Sequence, residues 1–458
     1  MDLTFAARTD VGRERERNED NFLVDRKLRL FVVCDGMGGH AAGAVASALA
    51  VNTIHEVVQA GGALIQSYDE DPRSESRRRD LLSLMEHAIA RASYKIHERA
   101  TENPHERGMG TTATAVLFAG GRAFVSHVGD SRCYLLRDEA IHQMTEDHSL
   151  LADMLKSGRI KSVHEVDRRF RNAVTRGVGL HGTVEIDTLD LAVLPGDRLL
   201  LCSDGLSGYA GARTLRQILT SEPDETRACD ALIEFSNDAG GSDNITAILA
   251  TVQTVGHADV NRTRLLFETV QAITLFRYLS FAEQARMLNI CRDEEFKAGD
   301  VIFRRGDPGE TAHILVSGRV QVQVDGVVIT DLLAGRHFGE MALIDQSPRS
   351  ADALAIEDVW VLTIHRTSFH EILRKNPRFA VRLLWSFVRS LTSRLRSTTT
   401  ELTVLKAMYL AAADDPGSPS EWLQADELQE DPGGLPTGPR QPPPLPPGLF
   451  PRRTSTPI

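Results

Sequence analysis

The sequence contains no Cys-x-x-Cys pair, no tandem repeat and no apolar run close to the roughly 20 residues that a membrane-spanning helix needs. Its five cysteines, Cys34, Cys133, Cys202, Cys229 and Cys291, are odd in number and widely scattered. They read as reduced core thiols of a cytoplasmic protein. Met1–Gly12 lacks a basic region followed by an apolar stretch, so no signal peptide is expected. The apolar stretch Ala41–Val51 is too short to span a bilayer and reads as a buried helix. An excess of positive charge is also missing: 52 basic residues face 63 acidic ones, a formal charge of −11. That balance argues against a nucleic-acid binder. It leaves room for a phosphorylated ligand, because metal ions or one placed arginine can supply the cation locally.

What is present is ordinary soluble composition, 42% apolar and 25% charged over 458 residues, enough for two or three domains. Residues 1–254 alternate short strand-like runs with helical segments. Phe31–Cys34, Thr112–Phe118, Ala123–Val128, Arg198–Cys202 and Ile245–Val252 read as strands. Residues 40–60 and 80–100 carry helical periodicity, and the polar stretch Ser67–Asp80 reads as an exposed loop. A second zone, 262–408, opens with a helical segment to about Ile290. It continues as short strands punctuated by glycine, the rhythm of a β-roll, and ends in a long helix over Arg378–Met408. Residues 413–458, with Pro442–Pro444 and Pro446-Pro447, read as a disordered Pro-rich tail.

Four aspartates stand at the exits of strand-like runs, each beside glycine or asparagine: Asp35, Asp130, Asp204 and Asp243. Glu19-Asp20 adds a fifth acidic group. Converging carboxylates with no lysine beside them repel one another, and a hard divalent cation that prefers oxygen ligands relieves the repulsion. Glycine beside aspartate lets the backbone approach such an ion. Any single Asp-Gly is most often only a turn.

The joint pattern resembles the PPM family of metal-dependent protein phosphatases over about 250 residues. The resemblance is carried by Thr9–Gly12, Arg15, Asn18–Asp20, Asp35–His40, Gly110–Thr112, Val128–Arg132, Ser203–Leu206 and Ser242–Thr246. It implies an α/β/β/α sandwich that hydrolyses phosphoserine and phosphothreonine on proteins, with two or three Mn²⁺ or Mg²⁺ ions. In that reading Asp35 bridges two ions and the Gly36 carbonyl completes one shell. Asp204 and Asp243 hold the second ion. Glu19 and Asp20 lie in the inner or water-mediated shell, and Asp130 with Asp204 matches a third position. Arg15 corresponds to the phosphate-binding arginine, while Arg13 and Arg17 read as solvated neighbours. Water attacks phosphorus directly, so no cysteine nucleophile is needed, and Arg15, Asp35 and Asp204 form the catalytic set. Relatives with histidine after the first Asp-Gly use it as a proposed general acid. Met37 stands there instead, which leaves His40 or a coordinated water as the proton donor. Asp147–Ser149 opens a helical segment that Ser149 or Asp147 caps, and the basic run Arg168–Arg171 with Arg176 is either a phosphopeptide-attracting flap or a solvated face.

In the second zone, Phe338–Ala351 resembles the phosphate-binding cassette of cyclic-nucleotide-binding domains, supported by Phe296–Phe303 and Ile314–Val320. The resemblance covers about 265–400. A cyclic phosphate carries one negative charge and suits a guanidinium with backbone amides. Arg349 supplies the first and a short helix near Ala342 the second. Glu340 would accept a hydrogen bond from the ribose 2′-hydroxyl, and Gly339 and Ser350 complete the site. Ser350 and Ala351 stand where binders of cyclic GMP often carry threonine, which favours cyclic AMP over cyclic GMP. In the long helix, Leu384, Val388, Leu391, Leu395, Thr398, Leu402 and Leu405 recur at spacings of four and three, a heptad seam for a homodimer. The fold class is thus α+β: a phosphatase sandwich, then a β-roll with a long C-terminal helix. The expected function is phosphatase activity on phosphoproteins, changed by cyclic nucleotide through the short connection Thr254–Asn261, with no nucleic-acid or membrane partner. The alternatives are a pseudophosphatase and a cyclic-nucleotide-sensing scaffold.

Overall fold

Leu30–Cys34 is buried along its whole length, which a strand tolerates only when both of its faces are covered. In the computed structural model, which describes residues 1–39, 42–162, 165–167, 173–256, 260–345 and 347–413, each face has its own partner. Phe31 and Val33 point to a second sheet, while Leu30, Val32 and Cys34 point to helices. His40, Arg168–Arg171, residues 257–259 of the connection and the Pro-rich tail lie outside the described residues. Met1–Leu391 forms one compact unit; in the second, Thr392–Ile458, the described residues continue a helix to Ala413.

One antiparallel sheet orders its strands Asp2–Asp10, Ile245–Thr254, Arg198–Cys202, Arg132–Arg137 and Ala140–Gln143. The other orders Asp187–Ala192, Arg122–Val128, Ala113–Ala119, Leu30–Cys34 and Asn21–Asp25. The core between them takes alternate residues of both, including Val116, Val125, Leu135, Leu201 and Ile248. Helices Ala42–Ala60 and Glu75–Glu102 cover one outer face; Ala212–Ser221 and Glu225–Asp238 cover the other. This is the α/β/β/α sandwich.

Ser67–Asp80 is not a loop. Helix Gly62–Glu70 runs through its start and helix Glu75–Glu102 through its end. Ile65 and Tyr68, three residues apart, share a buried face, and Tyr68 meets Phe124 edge-on at 5.6 Å. Ser74 caps the next helix by accepting a hydrogen bond from the Arg77 amide. Polar composition hid a helix that needs only two buried side chains.

The helical segment expected to Ile290 is two helices, Val260–Ala272 and Phe281–Ile290. Phe267, Phe281, Ala282 and Ala285 enter the core between the sandwich sheets. Beyond them, Cys291–Phe296, Val359–His365, Thr311–Ser317 and His337-Phe338 form one sheet of the β-roll. Val301–Phe303, Asp352–Ala355, Arg319–Val324 and Val327–Leu333 form the other. Leu315, Val320, Phe338, Ala353 and Val361 fill the space between. Helices Arg366–Lys375 and Pro377–Ala413 follow, the second presenting Phe379, Leu383 and Phe387 to the roll.

Candidate metal centre and nucleotide cassette

Three of the singled-out aspartates leave strands as expected: Asp35 follows Leu30–Cys34, Asp130 follows Arg122–Val128, and Asp204 follows Arg198–Cys202. Asp243 instead precedes its strand, Ile245–Thr254, and Asp20 precedes Asn21–Asp25. The sandwich brings all five together. Asp35 is pushed well above the usual carboxylate range by burial, then by Asp20, Asp204, Asp130 and Asp243. Asp20 rises to about 7 through burial, despite the hydrogen bonds it accepts. Burial first, then Asp204, lifts Asp130 to about 8, and burial with Asp243 lifts Asp204 to about 6 although Asp35 hydrogen-bonds to it. Glu19 is raised by burial.

Among the described residues, no three histidine, cysteine or acidic side chains already form a closed set of metal ligands. The donors nevertheless fit a hard divalent cation. All are oxygen, and the buried Asp20 Oδ1 and Asp204 Oδ1 have no hydrogen-bond partner. Their mutual repulsion asks for positive charge. Gly36 lies so close to the Ala42–Ala60 helix that an added Cβ would stand 2.2 Å from the Gly43 carbonyl oxygen, so no side chain fits there. Arg15 donates to Asp243 Oδ2 at 2.7 Å and is otherwise half exposed. Arg176 is engaged by Glu185 at 2.9 Å and Asp187 at 3.2 Å, which favours a structural reading of this part of the flap.

The side chains that hold the carboxylates had no role assigned from sequence. Ser203 and Thr246 donate to Asp20 Oδ2 at 2.7 and 2.6 Å. Thr112 accepts from the Asp35 amide at 2.9 Å, and Asn244 accepts from the Glu19 amide at 2.8 Å. Ser203 and Asn244 sit beside singled-out aspartates, and Thr112 and Thr246 lie in the segments Gly110–Thr112 and Ser242–Thr246; that proximity was the available signal. Ser149 caps its helix by accepting from the Ala152 amide, whereas Asp147 turns away to take Arg132 through both oxygens.

In the β-roll, Gly339 has φ 70°, and the turn Glu340–Leu343 that follows is a single 3₁₀ turn. A Cβ on Gly339 would stand 2.6 Å from the Arg349 guanidinium. Arg349 is buried, donates to the Gly339 carbonyl at 3.1 Å and Thr311 Oγ1 at 2.8 Å, and lies over the Phe303 ring at 4.1 Å. Its Nε has no partner. Burial lowers its basicity, with only Asp307 acting against it. A buried guanidinium in direct contact with a carbonyl, a hydroxyl and a ring, with Asp307 acting from further off, is the geometry of an anion site. Glu340 is buried and Ser350 exposed. The Ala342 amide bonds back to Gly339 at 3.2 Å, so in this state it is committed to the turn.

Residues 12–250, more than half of the chain, match the protein phosphatase 2C profile. The chain belongs to that family. It is a protein serine/threonine phosphatase. Residues 293–376 match the cyclic nucleotide-binding domain profile. The phosphatase is 35% identical over 245 residues to the serine/threonine phosphatase Stp of Listeria innocua, covering 53% of this chain and 93% of that one. It is 37% identical over 250 residues to PstP of Mycobacterium tuberculosis, covering 55% of this chain and 45% of that one. The catalytic domain of PstP, solved in complex with two manganese ions, spans 55% of this chain and 99% of its own at 35% identity and a TM-score of 0.46.

Proposed function

We propose that this phosphatase binds two or three Mn²⁺ or Mg²⁺ ions in its aspartate cluster, and that cyclic AMP or cyclic GMP in the β-roll changes its rate on phosphoproteins. The observation that carries the metal assignment is the set of mutually raised carboxylates with two unpartnered buried oxygens. Asp35 and the Gly36 carbonyl hold one side of the site, and Asp204 and Asp243 the other. Glu19 and Asp20 support it, and Asp130 with Asp204 forms the third position. When bound, such ions supply positive charge and an activated water.

The chain's own residues do the positioning. Ser203 and Thr246 fix Asp20 so that its free oxygen is presented, and Thr112 fixes Asp35 through its amide. Arg15 exchanges Asp243 for the phosphoryl oxygens of substrate, a charge-assisted contact of the same kind. The complete aspartate set disfavours a pseudophosphatase.

The partnerless Nε of buried Arg349 supports the nucleotide reading, with Glu340 for the ribose. Val388, Leu391, Leu395, Leu402 and Leu405 of the heptad seam are exposed, which supports a homodimer along that helix. Among the described residues no helix is long and apolar enough to cross a membrane; a cytoplasmic location is part of the proposal. The deciding experiment is hydrolysis of a phosphothreonine peptide with Mn²⁺, with excess chelator, and with each cyclic nucleotide. Turnover that survives the chelator refutes the metal assignment. A rate that ignores both nucleotides, despite binding by calorimetry, refutes the regulation.

A further inference from the structure

Three consecutive residues, Glu146, Asp147 and His148, fasten the turn that carries Asp130. The His148 amide donates to the Gly129 carbonyl at 2.7 Å, and its ring Nδ1 accepts from the Gly129 amide at 3.2 Å. Asp147 takes Arg132 through both oxygens, at 2.9 and 2.6 Å. The Glu146 carbonyl lies 3.2 Å from His127 Nε2. The turn itself is stiff: Gly129 has φ 111°, and a Cβ there would stand 2.5 Å from Thr112. Whatever moves 146–148 therefore moves Asp130.

The Glu146 side chain is tied to the other half of the chain. Arg382, on helix Pro377–Ala413, reaches Glu146 Oε1 at 3.3 Å and Glu283 Oε1 at 2.8 Å. Glu283 is a fixed post. Its side chain is buried, and its second oxygen accepts from the Ser280 amide at 2.8 Å to cap helix Phe281–Ile290. That helix is bolted to the sandwich. Asn289 donates to the Asp190 carbonyl at 2.6 Å and accepts from Arg122 at 2.6 Å, and Phe281 stacks on His142 at 4.2 Å.

The helix bearing Arg382 also touches the cassette. Leu383 and Phe387, one and five residues beyond Arg382, share an apolar cluster with Leu343 of the 3₁₀ turn. Phe387, Leu343 and Glu340 line the same small cavity. We infer that Arg382 is a positioning residue that transmits the state of the nucleotide cassette to the Asp130 turn through Glu146. This inference rests on the proposed nucleotide regulation. Ligand draws Arg349 off the Gly339 carbonyl, the Glu340–Leu343 turn repacks against Phe387, and the helix shifts. The bond from Arg382 to Glu146 is longer than the one to Glu283, so it yields while the post holds. The strap 146–148 then loosens its hold on Asp130.

Hydrogen exchange on the full chain, with and without saturating cyclic AMP or cyclic GMP, tests this. Glu146→Gln leaves the Arg382–Glu283 pair intact, so the post stays satisfied. In the ligand-free protein it should raise exchange in peptides covering 129–134 and 146–150 by about fivefold or more, the lower end of ordinary coupling. The strand 245–252 should not change. Wild type with nucleotide should show the same pattern. In Glu146→Gln, nucleotide should bind more tightly than in wild type, because the bond it must break is already gone, and should add nothing at 129–134. Arg382→Ala should give the same rise at 129–134 and 146–150, with added exchange around Glu283, whose partner it also removes, and Arg382→Lys should restore the wild-type response. A Glu146→Gln protein that matches wild type at 129–134, or keeps its full nucleotide response, overturns the link. If calorimetry finds no nucleotide binding to wild type, the regulatory reading falls, and the ligand-free comparison still decides whether the strap holds Asp130.

Discussion

The aspartate cluster and the nucleotide cassette are built with opposite signs. In the sandwich, Asp20, Asp35, Asp130 and Asp204 are withdrawn from water next to one another, and each is raised toward its neutral form. In the β-roll, one guanidinium is withdrawn from water among a carbonyl, a hydroxyl and a ring, and it is lowered. Each site holds charge that its own fold compensates only in part, through Arg15 at Asp243 in the first and Asp307 near Arg349 in the second, and the two need counter-charges of opposite sign. An uncompensated buried charge costs stability. Its retention in both halves marks where a cation and an anion are expected.

The largest expected effect follows from removing a charge at the first site. Asp204→Asn should lower turnover with Mn²⁺ by about a hundredfold or more, because even outer-shell changes cost metal sites 10- to 100-fold. The same substitution should raise the melting temperature of the chelator-treated protein, since it removes one partner of the repulsion with Asp35 and Asp243. Rate and melting temperature thus move in opposite senses. A variant that loses rate and also melts lower without metal would show that Asp204 is chiefly structural.

At the second site the sign reverses. Arg349→Ala removes the guanidinium proposed to meet the cyclic phosphate. Loss of one partner from a buried charge pair costs roughly 2–5 kcal/mol, so calorimetry should find nucleotide binding weakened by more than tenfold. Nucleotide affinity that survives the substitution would remove Arg349 from the site.

The two sites also differ in how much the sequence revealed of them. The aspartates were visible because each needs a fixed neighbour: glycine where the backbone is crowded, as at Gly36, or serine and asparagine that hold a partner, as at Ser203 and Asn244. The cassette was visible as one block, because Gly339 and Arg349 must touch. The helix Gly62–Glu70 was hidden by polar composition, since it buries only Ile65 and Tyr68. The division of the segment 262–290 was hidden as well. It depends on where Phe281 enters the core of the sandwich, a contact made across the fold and absent from local pattern. The strap Glu146–His148 shows the same limit. Asp147 and Ser149 both read as caps, and only the folded chain shows that Asp147 takes Arg132 instead.

The smallest expected effect concerns one buried histidine in each half. His127 in the sandwich is lowered to about 4, by burial and then by His148. His313 in the roll is lowered to about 3, by burial and then by Arg349. Both folded values lie below the ordinary value near 6.5, so folding favours the neutral ring. Their contribution to stability is present above about pH 6.5 and is lost as pH falls toward 4 and then 3. Each contributes a few kcal/mol at most on this scale. Chelator-treated protein should unfold at lower urea at pH 4.5 than at pH 7, with both rings still neutral by NMR at pH 5.5. The halves should then separate under one substitution. Arg349→Ala removes a positive charge beside His313 and should raise its titration point, while His127 should not move. A His313 that titrates near 6.5 in wild type, or one indifferent to Arg349→Ala, would mean the guanidinium does not bear on that ring. The uncompensated charge in the roll would then lie elsewhere than at Arg349.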